Sequence, residues 1–356
     1  MSAFAKEKVR SPMVTMPTKP RPTYQTNPTV AVLLVNLGTP DAPTVPAVRQ
    51  YLRQFLSDTR VIEVPKLVWA IILNVFILTT RPKRVAHAYA SVWDGDSPLR
   101  QIAHRQADLL QQRLDAHDFG VPVTVELAMT YGKPALSDAL HHLKAQGIER
   151  IVVLPAYPQY SASTTAAVFD VIAKYGLKAR DLPALSFVKD YYNHPRYIAA
   201  LADSVRRYQA HHGHAQKLLF SFHGIPKPYA DKGDPYPERC KITAHAVADA
   251  LGLTDEQWAY SFQSRFGLQE WVKPYTDELL TAWGKAGLAS VQVLSPAFSA
   301  DCLETLEELA VENKNTFQDN GGGEYGYIPA LNADPLHIDL FAALVEPHIK
   351  AWAAQR

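Results

Sequence analysis

SFHGIP at residues 221–226 follows the apolar run 217–220, and PAFSADCLE at residues 296–304 follows the apolar run 291–294. Short apolar runs of this kind are typical of buried strands. Open α/β sheets bind their ligands beyond the carboxyl ends of parallel strands. We therefore expect His223 and Glu304 to face one cleft as proton acceptor and carboxylate. Each residue taken singly also has a non-functional interpretation. His223 could be a packed histidine in a loop, and Glu304 could be a solvated glutamate on a helix.

Apolar, β-rich runs alternate with amphipathic stretches along the rest of the chain, which is typical of a wound α/β sheet. Strands are predicted at residues 30–35, 123–128, 151–154, 217–222, 258–262 and 291–294. Helices are predicted at residues 101–116, 137–146, 197–210, 243–251, 269–286, 303–312 and 335–354.

Three short landmarks recur in the same order, which indicates that the two halves of the chain are duplicates. The pairs are LGTP 37–40 with HGIP 223–226, MTYG 129–132 with SRFG 264–267, and PAY 155–157 with PAF 296–298. The wider spacing in the first half matches an insertion at about residues 49–93. The predicted organisation is a flexible tail at 1–29, a first α/β domain at 30–190, a second at 191–334, and a C-terminal helix at 335–356 packing back on the body.

Composition and charge exclude several function classes. The 356 residues carry 36 basic and 35 acidic side chains, so no strong overall field favours nucleic acid. Two cysteines, Cys240 and Cys302, are too few for a disulfide framework and fit free thiols in a reducing compartment. The N-terminal segment lacks the apolar core of a secretory signal. We expect a cytoplasmic protein.

The motifs of nucleotide-binding α/β proteins and of structural zinc sites do not occur. No Gly-x-Gly-x-x-Gly follows the first predicted strand, and no Walker-type Gly-Lys-Ser/Thr is found. The triplet at 321–323 reads as a turn. No Cys-x-x-Cys or His-x-x-x-His pair predicts zinc. The remaining candidates for chemistry are a histidine, carboxylates and aromatic side chains.

Residues 67–78, LVWAIILNVFIL, form the most apolar segment, and basic residues follow at 81, 83 and 84. This segment is shorter than the roughly 20 residues that a membrane-spanning helix needs. Two interpretations stay open. The segment is either an ordinary core helix or an apolar lip that contacts a membrane surface while the basic residues meet anionic head groups.

A row of carboxylates begins within PAFSADCLE 296–304 and continues beyond it. Glu304, Glu308 and Glu312 stand four residues apart, with Asp301 before them and Glu307 beside them. On an α-helix this spacing places the three glutamates on one face, where like charges repel. The row is either a solvated acidic face or a track for divalent cations or protons that begins at the predicted cleft.

Six segments in order, at compatible spacing, resemble the ferrochelatase family, whose members insert Fe²⁺ into protoporphyrin IX to make protohaem. The resemblance runs from about Val30 to near the C-terminus. Its segments are LVNLGTP 34–40, GDSPL 95–99, YPQYSASTT 157–165, SFHGIP 221–226, YSFQSR 260–265 with Trp271, and FSADCLE 298–304.

The resemblance implies two flavodoxin-like parallel-sheet domains of the chelatase type with the porphyrin held between them. It implies that His223 and Glu304 face each other across the macrocycle. Because an unperturbed histidine can accept a proton at cytoplasmic pH, His223 is the candidate acceptor of the pyrrole protons, and Glu304 either binds the metal or relays protons. His223, Asp301 and Glu308 are further candidate metal ligands. The predicted contacts to the porphyrin or its propionates are Tyr89, Ser97, Tyr131, Trp271 and Phe298, with Arg81 near the mouth.

The same resemblance shapes the expected partners. We expect protoporphyrin IX and Fe²⁺ as substrates, no permanently bound cofactor, and no iron–sulfur cluster, since the four C-terminal cysteines that hold one in some members are missing. We also expect a monomer, with peripheral membrane contact through residues 67–78. Two alternatives stay open: a chelatase for another tetrapyrrole, with Fe²⁺ or Co²⁺, and a noncatalytic porphyrin or haem carrier.

Overall fold

Two four-stranded parallel sheets form the protein, as seen in a computed structural model that describes residues 27–267 and 269–354. The first sheet has the order β2-β1-β3-β4 and the second has the order β6-β5-β7-β8. The strands are β1 (Asn27–Thr39), β2 (Val123–Gly132), β3 (Ile148–Pro155), β4 (Ala184–Phe187), β5 (Lys217–His223), β6 (Trp258–Gln263), β7 (Ser290–Leu294) and β8 (Glu324–Tyr327). The identical order confirms the predicted α/β fold with two similar halves.

The six predicted strands are the inner strands and one outer strand of each sheet. Their apolar residues are buried on both faces, as parallel sheets covered by helices require. The short outer strands β4 and β8 were not predicted. Each has four residues, and β4 begins with two exposed ones, so neither shows a continuous apolar run.

Helices cover both sheets. They are α1 (Val45–Leu56), α2 (Lys66–Ile71), α3 (Leu78–Val92), α4 (Pro98–Asp115), α5 (Leu136–Ala145), α6 (Ala167–Gly176), α7 (Pro195–His212), α8 (Lys227–Asp231), α9 (Tyr236–Leu251), α10 (Thr276–Lys285), α11 (Asn313–Asp319) and α12 (Pro335–Ala353). Three segments are π-helical: π1 (Ile72–Ile77), π2 (Ala162–Ala166) and π3 (Glu304–Glu312).

Three of the predicted helices differ from the observed ones. The helix predicted at 243–251 begins earlier, at Tyr236. The helix predicted at 269–286 begins only at Thr276, because Trp271 and Tyr275 instead form isolated bridges to Pro226 and Phe262. Pro274 also disfavours helical backbone in the residue before it. The helix predicted at 303–312 is π-helical from Glu304 to Glu312, a form that is rare and is frequently found at functional sites.

The segment predicted as an insertion, called the inserted segment below, contains α1, α2, π1 and α3. Leu73 and Leu78 are buried in a small apolar cluster with Leu56 and Ile62. The opposite side of the segment carries exposed apolar side chains, with Leu67 84% exposed. The segment 67–78 is therefore neither a fully buried core helix nor a fully exposed one.

The last helix, α12, packs on α4 and β3 of the first half and on α7 of the second half. Arg150 in β3 donates to the backbone oxygen of Trp352 at 3.1 Å, and the side chains of Ser186 and His348 are hydrogen-bonded at 2.6 Å. The predicted tail, residues 1–29, lies outside the described residues except for 27–29, which belong to β1.

Gly38, near the end of β1, permits the close approach of β1 and β2 at the sheet edge where ligands are expected. Its φ is +112°, and a Cβ there would lie 1.6 Å from the backbone oxygen of Tyr131. Gly252 ends α9 with φ +69°, and a Cβ added there would have no other atom within 4 Å.

We expect Gly38→Ala to destabilise the fold by at least about 4 kcal/mol, since a rigid backbone atom occupies the space of the new methyl group. Gly252→Ala is the matched control, and its left-handed backbone alone should cost about 1–2 kcal/mol. Urea denaturation of both variants measures the difference. Equal losses would show that the space beside Tyr131 does not limit residue 38.

Candidate active site

A cavity of about 540 Å³ lies at the carboxyl ends of the strands of both sheets. Its size is in the usual range of small-molecule sites. The first half contributes the end of β1, the inserted segment, the start of α4 and the segment that follows β3. The second half contributes the segments that follow β5, β6 and β7. Aromatic lining residues are Tyr51, Phe55, Trp69, Tyr89, Tyr157, Tyr229, Tyr236, Phe266, Trp271 and Phe298.

His223 is the last residue of β5 and lines the cavity. Its Nδ1 lies 2.7 Å from the backbone oxygen of Gly224. A carbonyl oxygen only accepts, so Nδ1 carries the proton of the neutral ring and the lone pair is left on Nε2. The rings of Trp271 and Phe298 flank the imidazole, each with its centroid 6.4 Å away. This arrangement leaves a basic nitrogen between two aromatic walls.

Glu304 lines the same cavity as the first residue of π3. Cys302 also lines the cavity, and burial together with the charge of Glu304 raises the pKa of its thiol well above the usual value. The thiol is therefore protonated at neutral pH. The structure thus brings His223 and Glu304, the two residues predicted from separate strand ends, to one cavity.

Glu308 lies behind Glu304 on π3 and does not line the cavity. Its carboxylate accepts hydrogen bonds from the backbone N–H of Ser264 at 2.8 Å and from the Ser264 hydroxyl at 2.5 Å. Burial raises the pKa of Glu308, although the Ser264 hydrogen bonds and the nearby His223 oppose that rise. Glu312, at the far end of π3, is exposed.

Asp301 lies outside the cavity lining and is buried. Its carboxylate accepts hydrogen bonds from Thr305 Oγ1 at 2.9 Å, Tyr327 OH at 2.6 Å and Asn332 Nδ2 at 2.7 Å. The backbone N–H of Ala330 is 3.3 Å away. These contacts favour a structural role, joining the start of π3 to the segment after β8, over the predicted role as a metal ligand.

Five of the six predicted porphyrin contacts line the cavity: Arg81, Tyr89, Ser97, Trp271 and Phe298. Thr39 donates to the buried Ser97 hydroxyl at 2.8 Å. The guanidinium of Arg81 lies 5.2 Å from the ring centre of Phe266, so Arg81 connects the inserted segment to the second half.

Tyr131 is the exception among the predicted contacts. Its hydroxyl donates to Asp58 at 2.9 Å, and its ring meets Phe55 edge-on with centroids 5.2 Å apart. Phe55 lines the cavity and Tyr131 does not. Phe55 comes from the inserted segment, and no sequence pattern predicted its position. In the structure Phe55 forms part of the cavity lining, and the ring of Tyr131 packs against it.

Sequence reasoning missed several further lining residues. Tyr157 could have been found, because the duplication pairs the landmark PAY 155–157 with PAF 296–298 and so matches Tyr157 to Phe298. Tyr51 lies on α1 of the insertion, and its hydroxyl donates to the backbone oxygen of Gly38 at 3.1 Å. Burial raises the pKa of Tyr51, Tyr89 and Tyr157, so all three stay protonated at neutral pH.

Across residues 27–267 and 269–354, no group of three or more His, Cys, Asp or Glu side chains is arranged to hold a metal ion. The same part of the chain has no helix that is both long and apolar enough to cross a membrane.

Two solved structures have a similar architecture. SirB from Bacillus subtilis, determined with Fe³⁺, matches with a TM-score of 0.51 at 13% identity, over 92% of this chain and 98% of that chain. DR2241 from Deinococcus radiodurans, described as structurally similar to chelatases, matches with a TM-score of 0.50 at 10% identity, over 92% of this chain and 60% of that chain. At such identities the likeness shows the fold alone.

Sequence comparison identifies the family within this fold type. The family model described as Ferrochelatase matches residues 29–349. The ferrochelatase of Psychrobacter arcticus is 63% identical over 326 residues, covering 92% of this chain and 96% of that protein. That of Acinetobacter baumannii is 60% identical over 328 residues, covering 92% and 97%. The chain belongs to the ferrochelatase family.

A structural role for Asp301 predicts a large stability loss on its removal. Asp301→Ala should lower the free energy of unfolding by about 3–5 kcal/mol, because three side-chain donors lose a buried acceptor. Asp231→Ala, which removes an exposed partner of Lys227, is the control and should cost no more than about 1 kcal/mol. Urea denaturation compares them. A stable Asp301→Ala protein with impaired metal binding would instead support the predicted ligand role.

Proposed function

We propose that this protein is a ferrochelatase that inserts Fe²⁺ into protoporphyrin IX to form protohaem, the last step of haem biosynthesis. Membership of the family carries this proposal, and a cavity that joins a histidine, a carboxylate and aromatic walls supports it. Fe²⁺ is a substrate. The metal-free macrocycle carries two pyrrole N–H groups, so the reaction releases two protons for each Fe²⁺ inserted.

His223 is the proposed acceptor of the pyrrole protons. Its Nδ1 is occupied by the backbone oxygen of Gly224, which leaves Nε2 as the basic nitrogen of the neutral ring. When Nε2 takes a proton, Nδ1–H keeps its hydrogen bond, so the imidazole changes charge without losing its contact to the backbone. Imidazole is the side chain whose charge changes nearest neutral pH, which suits a general base in the cytoplasm.

Glu304 is the proposed metal ligand or proton relay. Both imidazole and carboxylate are suitable ligands for Fe²⁺, so the two groups can also receive the metal together. Glu304 faces the cavity, Glu308 lies behind it, and Glu312 is exposed. This order supports the predicted track between the cavity and solvent, along which protons leave or cations arrive.

Trp271, Phe298 and the tyrosines provide the walls for a large flat ligand. Aromatic faces bury such a ligand with few polar contacts. Binding energy from these contacts can hold the macrocycle out of plane, at a strain of about 1–5 kcal/mol, and so expose its nitrogens. Arg81 and Ser97 are the proposed contacts of the propionates.

The inserted segment is the proposed site of membrane contact. Apolar side chains at positions 67, 68, 71, 75 and 76 are each more than half exposed. Trp69, Ile72 and Ile77 of the same segment line the cavity. A lip of this kind would contact lipid on one side and the hydrophobic substrate on the other. A cytoplasmic location peripheral to the membrane and a monomeric state stay predictions.

The role of His223 predicts a loss of insertion activity on its substitution. His223→Ala should lower kcat by about 10²–10⁴-fold, the usual contribution of a general base. The assay supplies Fe²⁺ anaerobically with protoporphyrin IX, and separately with other tetrapyrroles and with Co²⁺. His211→Ala, an exposed histidine on α7, should retain full activity. An active, folded His223→Ala protein would contradict the assignment.

The lip predicts lipid binding through its exposed residues. Replacement of Leu67 and Phe76 by Ser should abolish flotation of the protein with anionic liposomes, because these side chains are 84% and 60% exposed. Leu177→Ser, at an 87% exposed position on another surface, should float like the parent. If the lip variant floats as well as the parent, the segment does not bind lipid through these residues, and only its contact with the substrate remains as a proposed role.

A further inference from the structure

Gln263 is a buried amide beside the proposed catalytic pair. It is the last residue of β6, is 3% exposed, and lies opposite His223 in the register of β5 and β6. The backbone N–H of Gly224 also donates to its backbone oxygen at 2.8 Å. Gln263 does not line the cavity, so it has no contact with a ligand there.

Every donor and acceptor group of the Gln263 side chain has a partner. Ser221 Oγ donates to its Oε1 at 2.8 Å, which fixes the orientation of the amide. Its Nε2 then faces π3, where it donates to the backbone oxygen of Glu304 at 3.1 Å and to Glu308 Oε2 at 3.3 Å. An amide supplies two N–H donors, and both are used on the acidic helix.

Ser221 is itself held in place, so the amide has a fixed support. Its hydroxyl is 2.9 Å from Thr276 Oγ1, which is 2.8 Å from Ser261 Oγ. Ser295 Oγ donates to the backbone oxygen of Ser221 at 2.5 Å. These hydroxyl groups link β5, β6, α10 and the residue after β7 by hydrogen bonds. Through Ser221 they hold the Gln263 amide at a fixed position relative to the sheet.

Ser264, the next residue, directs two more donors at Glu308. Its φ is +64°, a left-handed conformation that is uncommon for residues other than glycine. In this conformation its N–H and its hydroxyl both reach the Glu308 carboxylate. Three donors from two consecutive residues therefore hold one carboxylate, and a fourth contact holds the backbone of Glu304.

We propose that Gln263 and Ser264 are positioning residues that fix the acidic helix relative to His223 for metal insertion. They connect the end of the β6 strand, which pairs with the strand of His223, to the two glutamates of π3. This inference rests on the proposed function and adds two residues that act through others and do not touch the substrate. A misplacement of about 1 Å in such a site can cost 10²-fold in rate.

The proposal predicts which kinetic parameter changes. Removing the donors should lower kcat and raise the KM for Fe²⁺, since the glutamates lose their fixed position. The KM for protoporphyrin IX should stay within about twofold of the parent value, because neither residue lines the cavity. A merely structural role would lower the melting temperature and leave kcat of the folded protein unchanged.

Gln263→Glu tests this directly, because it keeps the shape of the side chain and removes both N–H donors. We expect kcat to fall by at least about tenfold. Gln292→Glu is the matched control: Gln292 is 5% exposed in β7 and its Nε2 donates to the backbone oxygen of Gly213 at 2.8 Å. The control should keep the parent kcat. If Gln263→Glu does not fold, Ser264→Ala, at a partly exposed position, provides the same test. We expect a smaller decrease in kcat for this variant.

Steady-state kinetics with varied Fe²⁺ and varied protoporphyrin IX, together with thermal melts, distinguish the outcomes. A parent protein without insertion activity would overturn the proposed function and this inference with it. An active parent with Gln263→Glu and Ser264→Ala at the kcat of the control would overturn the inference alone. The same holds if the KM for protoporphyrin IX rises as much as the KM for Fe²⁺.

Discussion

The parallel pairing of β1 with β3 and of β5 with β7 is the constraint on which the site depends. Parallel strands end together, so each sheet has one edge at which loops and helix starts converge. Two sheets with the same strand order present two such edges to a single cavity. Neither half could form this cavity alone, since His223, Trp271 and Glu304 come from one half and Tyr89 and Ser97 from the other.

The site combines ionisable side chains with an aromatic lining. Aromatic side chains supply most of the surface that a flat ligand would touch, while the ionisable groups lie at the ends of strands or on π3. The hydrogen bond from His223 to the Gly224 oxygen presents one nitrogen to the cavity. Buried hydroxyl and amide groups lie behind the carboxylates, where the Gln263 amide donates to Glu308 and to the backbone oxygen of Glu304.

The sequence predicted the inner strands, the duplication and the His223/Glu304 pair because each depends on local pattern. Apolar runs indicate strands that are buried on both faces, and a residue after such a run lies at the ligand edge. The six resembling segments then named the family, which the comparisons confirm.

What the sequence could not predict depends on partners that are distant in the chain. Asp301 was predicted as a candidate ligand from its place before the row of glutamates, whereas its hydrogen-bond partners Tyr327 and Asn332 lie in a later segment without a recognisable motif. Tyr131 lies outside the cavity lining, where its ring meets Phe55 of the inserted segment, a contact that no local sequence pattern indicates. The contacts of Glu308 depend on the left-handed backbone of Ser264, which a serine does not indicate. The π-helical form of residues 304–312 was missed since the pattern was read with α-helical periodicity.

The proposed role of His223 requires that its Nε2 reach the pyrrole nitrogens of a porphyrin held between the two halves. A crystal structure of the protein with metal-free protoporphyrin IX would test this requirement. We expect a macrocycle bent out of plane in the cavity, with a pyrrole nitrogen within about 2.6–3.2 Å of His223 Nε2 or linked to it by one water. A planar macrocycle whose nitrogens lie beyond that reach, or one bound outside the cavity, would show that His223 is not the proton acceptor.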